Sequence, residues 1–341
     1  MEIPQFLEYQ EHEAVDNSAQ KEPILPSDAI NEKEAGPPQE ALFLILTYLP
    51  LFELLAMNQV CTSLRDAVNK DVLSWLNIIV DKALSLKLSD EILMKITSKA
   101  NGRLRTLALM NCAKITDNGL QQVVEQNPLI SKLYLPACTG LTPEGVIRAV
   151  KTLSDHGHCL KSIMINGIYN INKQHLETLE SYLHEMNLDA KKEQPGSWPL
   201  LLLEYMDSPT FRHDKGHTII DLEVCSKCDE VRMVFDCPRW ACKRMIERSM
   251  TRCRGCKFCI LRCQECGGCV DSQEIEEAVC AHILCSDCWL HLPKCNFCNK
   301  PYCKQHADNK CCTSGSTGFV CEVCYAKYIV NLPSIVEYVD F

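Results

Sequence analysis

LRTLALMNCAKITDNGL, Leu104 to Leu120, recurs as ISKLYLPACTGLTPEGV, Ile130 to Val146, and more loosely as LKSIMINGIYNINKQHL, Leu160 to Leu176. Leu107 to Leu133 and Cys112 to Cys138 are both displaced by 26 residues; the third copy is displaced by 30, its extra residues lying in the loop SDHGHC. A fixed period of this length marks stacked supersecondary units, each burying its apolar face against the next. The alternating leucines predict a short strand in each unit, and Asp117-Asn118-Gly119 opens a return helix with Leu120, Val123 and Val124 on its apolar face. Cys112 and Cys138 fall at the turn, where a small apolar thiol serves packing rather than ligation or nucleophilic attack. His156 and His158, in the inserted loop, read as surface residues. LSDEIL (Leu88 to Leu93) reads as the tail of a degenerate first unit, and PLLLLEYMD (Pro199 to Asp207) as a candidate last one. Three or four such units make a short arc whose concave side suits a protein partner.

The cysteines lie elsewhere. Four of the 24 fall in the first 224 residues and twenty between Cys225 and Cys324, which marks off a C-terminal domain. CxxC occurs at Cys225/Cys228, Cys253/Cys256, Cys256/Cys259, Cys263/Cys266, Cys266/Cys269, Cys285/Cys288, Cys295/Cys298 and Cys321/Cys324. Two residues between thiols let both sulfurs reach one tetrahedral ion from a tight knuckle, which a disulfide does not require. With Cys237, Cys242, Cys280, Cys303, Cys311, Cys312, His282 and His306 there are 22 candidate ligands, enough for five four-ligand sites with two spare. The run Cys253-x2-Cys256-x2-Cys259-x3-Cys263 has the spacing of an iron–sulfur loop. However, Gln264 follows where Pro is usual, and Arg252, Arg254, Lys257 and Arg262 are interleaved where an apolar shell is needed. Zinc is the expectation over iron–sulfur or disulfides.

Ligand pairing stays open between two registers. Cys266/Cys269 through Cys280, His282, Cys285, Cys288, Cys295 and Cys298 satisfies the spacing of a RING finger, although Gly267 and Gly268 occupy the place of its apolar contact residue. The other is a later cross-brace, Cys285/Cys288 with Cys303/His306 and Cys295/Cys298 with Cys321/Cys324, similar to FYVE- or AN1-type zinc folds. Between Arg239 and Arg262 eight Lys or Arg stand against Glu247 alone. A nucleic-acid surface is one reading. Cations offsetting zinc-bound thiolates is the favoured one, because few aromatics are present for base stacking.

The net charge is −9, and residues 1–40 hold ten Asp or Glu against two Lys, the composition of a disordered acidic leader. No run of about 20 apolar residues suggests a membrane span. MEIPQFLEYQEHEAVD lacks the basic start and apolar core of a secretory signal, so the expected compartment is the reducing cytoplasm or nucleus. Next comes PPQEALFLILTYLPLFELLAMNQVCTSLRDAV, Pro37 to Val68. Leu42, Ile45, Leu46 and Leu49 have helical spacing up to Pro50; a second helix fits Phe52 to Val60 and a third Thr62 to Val68, with Thr62 as its cap. Three short helices carry more apolar surface than they can bury alone, which suggests a partner.

Pro38-x-Glu40, Ile45-Leu46, Tyr48-Leu49, Glu53-Leu54 and Val60-Cys61 resemble the F-box, which docks proteins onto the Skp adaptor of SCF-type ubiquitin ligases. Pro37 stands where Leu usually precedes the Pro, and Leu64 where Trp is common; both keep apolar bulk. The resemblance implies adaptor contacts at Pro38, Glu40, Leu42, Ile45, Leu46, Leu49, Leu54, Val60 and Leu64. L-x-L-x-x-C-x-x-I-T-D-x-G-L resembles the cysteine-containing leucine-rich repeat.

Taken together the chain resembles plant F-box proteins of the Skp-interacting-partner group. That implies a multidomain fold: an α-helical F-box, a short α/β leucine-rich repeat solenoid and an irregular zinc-stabilised cysteine-rich domain. Expected boundaries are the leader at 1–36, F-box at 37–80, repeats at 81–190 (to 210 if the last unit counts), linker at 191–199, zinc domain at 220–328 and a tail at 329–341. The resemblance further implies a non-catalytic substrate receptor joined to a cullin through the Skp adaptor, holding a protein substrate by the repeats or the zinc domain, with about five zinc ions. A stand-alone RING-like ligase and a nucleic-acid-associated regulator are the other readings. No Ser/His/Asp or Cys/His nucleophile arrangement, phosphate loop or paired-carboxylate site emerges from the sequence.

Overall fold

The structure, a computed structural model of the chain, describes residues 45–80, 82–157, 160–187, 219–242, 253–312 and 318–330. The expected leader and the expected adaptor residues Pro38, Glu40 and Leu42 lie outside them, as do the linker at 191–199 and the stretch Pro199 to Asp207. Pro50, with φ −56° and ψ 151°, ends one helical turn (Leu46–Tyr48) and stands before α1 (Leu51–Met57). A ring-locked φ and a missing N–H suit Pro to that junction. α2 (Thr62–Lys70) follows, but its cap is Cys61, whose backbone is extended; Thr62, expected as the cap, is already the first helical residue. Leu46, Leu54, Leu64, Val68 and Trp75 are buried together, and the Trp75 indole N–H donates to the Val68 carbonyl at 2.8 Å.

β1 (Asn77–Val80), α3 (Lys82–Ser85), α4 (Asp90–Ser98), β2 (Thr106–Leu109), α5 (Asp117–Gln126), β3 (Lys132–Tyr134), α6 (Pro143–Asp155), β4 (Ser162–Met164) and α7 (Lys173–Asn187) then alternate. The four strands form one parallel sheet in chain order, with Ile78 opposite Leu107, Leu107 opposite Leu133, and Leu133 opposite Ile163. The 26-residue period seen in the sequence is thus the strand-to-strand register. β1 falls inside the stretch expected to be F-box, so the helical part ends near Trp75. Cys112 and Cys138 are fully buried at the turns, and Cys138 Sγ donates to the Leu109 carbonyl at 3.1 Å.

The other face of the sheet differs from the expectation of an open concave surface. Ile79, Ala108, Tyr134 and Met164 form one cross-strand row and pack as a cluster, with the last three at 0–2% exposure. Both faces of the strands are buried in this chain, as in parallel sheets generally.

Side-chain rungs hold the units at one spacing. Thr116 and Thr142 cap α5 and α6, each accepting from the N–H of the glycine three residues on. Asp90, in the first turn of α4, accepts from the Thr116 N–H at 3.0 Å and hydroxyl at 2.6 Å; Asp117 does the same for Thr142 at 2.9 and 2.6 Å. Each carboxylate therefore braces the cap of the next helix while sitting at the positive end of its own. The rung leaves no room for a side chain beneath it: a Cβ on Gly119 would lie 2.1 Å from Asp90 Oδ1, and one on Gly145 2.1 Å from Asp117 Oδ1. At the strand-to-helix turns, Asn111 (φ 56°), Ala137 (φ 55°) and Gly167 (φ 82°) occupy equivalent left-handed positions.

The cysteine-rich region continues this stack. Ile163 and Ile220 form a parallel bridge, Ile163 N–H donates to the Ile219 carbonyl at 2.7 Å, and Ile220 and Leu222 join the same apolar core that contains Leu46. Asp221 accepts from the N–H groups of Ile165 (2.9 Å) and Asn166 (3.1 Å) and from the Asn166 amide (2.7 Å). Lys173 of α7 pairs with Asp229.

Gly119→Ala and Gly145→Ala should each lower stability by about 2 kcal/mol, because the added methyl displaces a carboxylate that makes two charge-assisted hydrogen bonds. Ala137→Gly should raise it by about 0.5–1 kcal/mol by relieving the left-handed backbone. Urea denaturation followed by circular dichroism measures all three.

Candidate functional site

Strands in the cysteine-rich region are two or three residues long: β5 (Glu223–Val224), β6 (Val231–Arg232), β7 (Val234–Phe235), β8 (Gly255–Cys256), β9 (Glu276–Glu277), β10 (Ile283–Leu284), β11 (Lys310–Cys312) and β12 (Phe319–Cys321). Among the described residues they pair as two-stranded ribbons, with short helices α8 (Ser286–His291) and α9 (Glu322–Val330) between and after them. Ribbons this small do not hold themselves in water. What gathers them is side-chain chemistry. Five groups of four bring their ligand atoms within 4.8 Å of one another: Cys225, Cys228, Cys256 and Cys259; Cys237, Cys242, Cys253 and Cys269; Cys263, Cys266, Cys285 and Cys288; Cys280, His282, Cys303 and His306; Cys295, Cys298, Cys321 and Cys324. These twenty are all drawn from the 22 candidates; the side chains of the other two, Cys311 and Cys312, lie outside the described residues.

The groups interlock along the chain. Cys237, Cys242 and Cys253 fall between the two halves of the first group, Cys269 between the halves of the third, and Cys280 and His282 also between those halves. Cys295 and Cys298 fall in turn between the halves of the fourth. Each site thus closes a loop that carries part of its neighbour. Across the groups, Sγ–Sγ separations are 3.9 Å (Cys228–Cys256), 3.8 Å (Cys242–Cys269), 3.8 Å (Cys266–Cys285) and 3.8 Å (Cys298–Cys321). These are far longer than the ~2.05 Å of a disulfide. His282 Nδ1 and His306 Nδ1 each stand 3.2 Å from Cys303 Sγ.

Backbone donors prepare one thiol in several groups. Cys256, Cys269 and Cys321 N–H donate to Cys225, Cys237 and Cys295 Sγ at 3.4, 3.3 and 3.3 Å. Burial opposes ionisation of Cys225, yet N–H groups of Cys256, Lys227 and Cys228 outweigh it and bring its pKa down to about 6. Cys295 is likewise brought to about 6 by Cys298, Cys321 and Phe297 N–H groups against burial, and Cys237 to about 7 by those of Cys269 and Arg239. Cys263 falls to about 4 through hydrogen bonding from Cys266, with burial opposing. Thiolate is the form that binds metal, so these groups are suited to a cation.

Neither register read from spacing is assembled whole. Cys266 and Cys269 belong to different groups, which breaks the RING register. Of the later cross-brace, Cys295/Cys298 with Cys321/Cys324 is present, whereas Cys285/Cys288 joins Cys263/Cys266 and Cys303/His306 joins Cys280/His282. The iron–sulfur run is dispersed too: Cys253, Cys256/Cys259 and Cys263 enter three different groups, so no single cluster can use it. Spacing could not find the second group, because Cys237 and Cys242 form no CxxC pair and their partners come from two other knuckles.

The basic stretch is partly consumed inside the region. Arg254 pairs with Asp236 at 2.8 Å and with Glu223; Arg262 is buried and donates to the carbonyls of Phe235 (2.7 Å) and Cys253 (2.9 Å). Arg239 lies across Gly268, where a Cβ would come 2.8 Å from its Nε. Although its site is desolvated, hydrogen bonding to Cys285 and the charges of Cys269, Cys285 and Cys266 hold its guanidinium pKa above the usual value. That is the physical sense of the two glycines in CGGC: Gly267 takes φ 71°, and Gly268 admits a cation over two thiol groups.

At the other end, the expected adaptor residues separate. Leu46, Leu54 and Leu64 are 1–2% exposed and form the chain's own core, Leu49 is half-buried, and Ile45 and Val60 are 48% and 65% exposed. Tyr48 (86%) and Phe52 (48%) are exposed as well, although neither is among the expected adaptor contacts. Periodicity marks apolar positions but does not say which of them the chain itself covers.

A family model described as F-box-like matches residues 38–80, and one described as At3g27290 F-box protein C-terminal domain matches residues 221–297. The second match contains the first three ligand groups, Cys280 and His282 of the fourth, and Cys295 alone of the fifth. Among curated proteins of Arabidopsis thaliana, F-box protein SKIP28 is 39% identical over 90% of this chain and 96% of its own length. F-box protein SKIP14 is 30% identical over 82% of this chain, and F-box protein At3g27290 is 33% identical over 73%. The matched region spans 60% and 64% of those two relatives.

Gly268→Ala should drive Arg239 off the thiol groups and loosen the second and third sites together. Competition with a coloured chelator should show faster metal release from this variant than from the parent, with the first group unaffected.

Proposed function

Because this chain belongs to the plant F-box proteins of the Skp-interacting group, we propose that it is the substrate-receptor subunit of an SCF-type ubiquitin ligase. The observation that carries the reading is the set of exposed apolar side chains within the F-box match: Ile45, Tyr48, Phe52 and Val60, on the short helices and the turn between α1 and α2, beside the buried Leu46, Leu54 and Leu64. Large exposed apolar side chains backed by a finished core are the mark of a docking surface. They hold the Skp adaptor, and through it a cullin. The cullin's own RING partner brings the conjugating enzyme, and this chain contributes proximity rather than chemistry, raising the effective concentration of a substrate lysine. The stacked β–α units are read as a short leucine-rich repeat solenoid, and the protein acts in the cytoplasm or nucleus.

The cysteine-rich region is read as a zinc fold. A tetrahedral ion with Zn–S bonds of ~2.3 Å requires thiolate sulfurs ~3.8 Å apart, which agrees with the separations of 3.8–3.9 Å. Four sulfurs, or two sulfurs and two imidazoles, fill the coordination sphere and leave no open position, the arrangement of structural rather than catalytic zinc. When bound, the ions would supply folding energy to ribbons whose own apolar clusters, such as Val270, Ala278 and Leu284 or Tyr302 and Phe319, are small.

Ile45→Asp with Val60→Asp should abolish co-purification with the Skp adaptor while leaving the thermal melt unchanged; a folded double variant that still binds at the parent level refutes the receptor reading. Leu46→Asp is unsuited to that test, because it places a charge in the core and should unfold the helices. Elemental analysis of the purified chain should give about five zinc ions and no iron, four ligands to an ion. Iron, or two ions per chain, would overturn the zinc assignment.

A further inference from the structure

With both faces of the parallel sheet buried, an open cavity among the described residues lies where the last repeat meets the cysteine-rich region. It measures about 1060 Å³. Its lining includes the turn after β4, from Asn166 to Ile171, the stretches Glu230 to Met233 and Cys256 to Phe258, and Leu222, Leu261 and Ile283. That volume is at the upper limit for a small-molecule pocket and suits a segment of chain. Three features give its chemistry. Tyr169 and Phe258, both in the lining, are 65% and 69% exposed. The Arg232 guanidinium lies over the Phe258 ring at 4.6 Å, with the Lys257 ammonium 5.4 Å from the same ring. Neither cation has a carboxylate partner among the described residues, and Arg232 Nε is shielded from solvent without a hydrogen-bond acceptor.

The lining also contains a strand edge. β6 (Val231–Arg232) pairs with β5 alone among the described strands, and its residues face the cavity. Arg232, Lys257 and Arg262 stand against Glu230 as the sole acidic side chain of the lining. Exposed aromatics, an arginine awaiting an acceptor and an unpaired edge are together the elements of peptide recognition.

We propose that this junction groove binds an extended acidic peptide segment of the substrate protein, with a carboxylate on Arg232 and Lys257 and an apolar neighbour between Tyr169 and Phe258. The inference rests on the receptor reading for its biological use but not for its physics. Charge complementarity selects the occupant: a basic segment would meet three cations, and an uncharged one would leave Arg232 unsatisfied. Arg262 holds the groove's shape through its carbonyl contacts and is not free to read a ligand.

The test uses the full chain and fluorescence anisotropy of short labelled peptides: one of alternating Glu and Leu, its Lys-for-Glu counterpart, and a version with phosphoserine for Glu. The Glu peptide should bind at least roughly tenfold more tightly than the Lys peptide, and weaken as salt is raised. Arg232→Glu and Lys257→Glu should each cost roughly tenfold, and Tyr169→Ala a smaller factor, with zinc content and thermal melt unchanged. Equal affinity for Glu and Lys peptides, or parent-level affinity in Arg232→Glu, overturns the proposal. So does binding of the phosphoserine peptide alone, which would make the groove a phosphate reader. Adaptor co-purification is scored on the same samples: peptide binding with no adaptor binding retains the groove and removes the receptor reading, and the converse removes the groove alone.

Discussion

A single apolar seam runs from Leu46 through the buried faces of the repeats to Ile220 and Leu222, and the arrangement of everything else follows from it. The F-box helices contribute Leu54, Leu64 and Trp75 to the seam, so they are not a separate module on a tether but the cap of the stack. At the far end Ile220 takes a place beside β4, which brings the cysteine-rich region in as the next layer. Terminal units of a stack would otherwise expose an apolar end, and here both ends are covered by elements of different architecture.

Within the seam the spacing is enforced by polar chemistry. Asp90 and Asp117 each bind the cap of the following helix, and the glycines below them give the carboxylates room. Beyond the seam the enforcement changes character, because the ribbons of 219–330 have too little apolar area to order themselves. Interlocked ligand groups take over, each closing a loop that holds part of the next.

The exposed apolar side chains of the F-box match and the junction groove lie at opposite ends of one core. Under the proposed receptor role, rigidity between them matters because a lysine can be presented only if the two attachments keep a constant relation. Asp221, bonded to the backbone of Ile165 and Asn166, and Lys173, paired with Asp229, brace the joint at which the groove opens.

Much of this was legible in the residues. The 26-residue period was the strand register, CxxC pairs with two histidines were the ligand inventory, and the run from Pro38 to Leu64 marked the F-box, because each rests on local spacing along the chain. What spacing could not decide was which distant halves come together. Cys285/Cys288 had equally good partners before and after it, and Cys237 with Cys242 belonged to no knuckle at all; only the path of the backbone settled their company. The same limit divided the F-box leucines, since an apolar residue looks alike whether its own chain or a partner covers it. Sequence by itself determined the periods, the ligand types and the family; tertiary structure alone decided burial, ligand pairing and the groove, because these depend on residues far apart in the chain meeting in space.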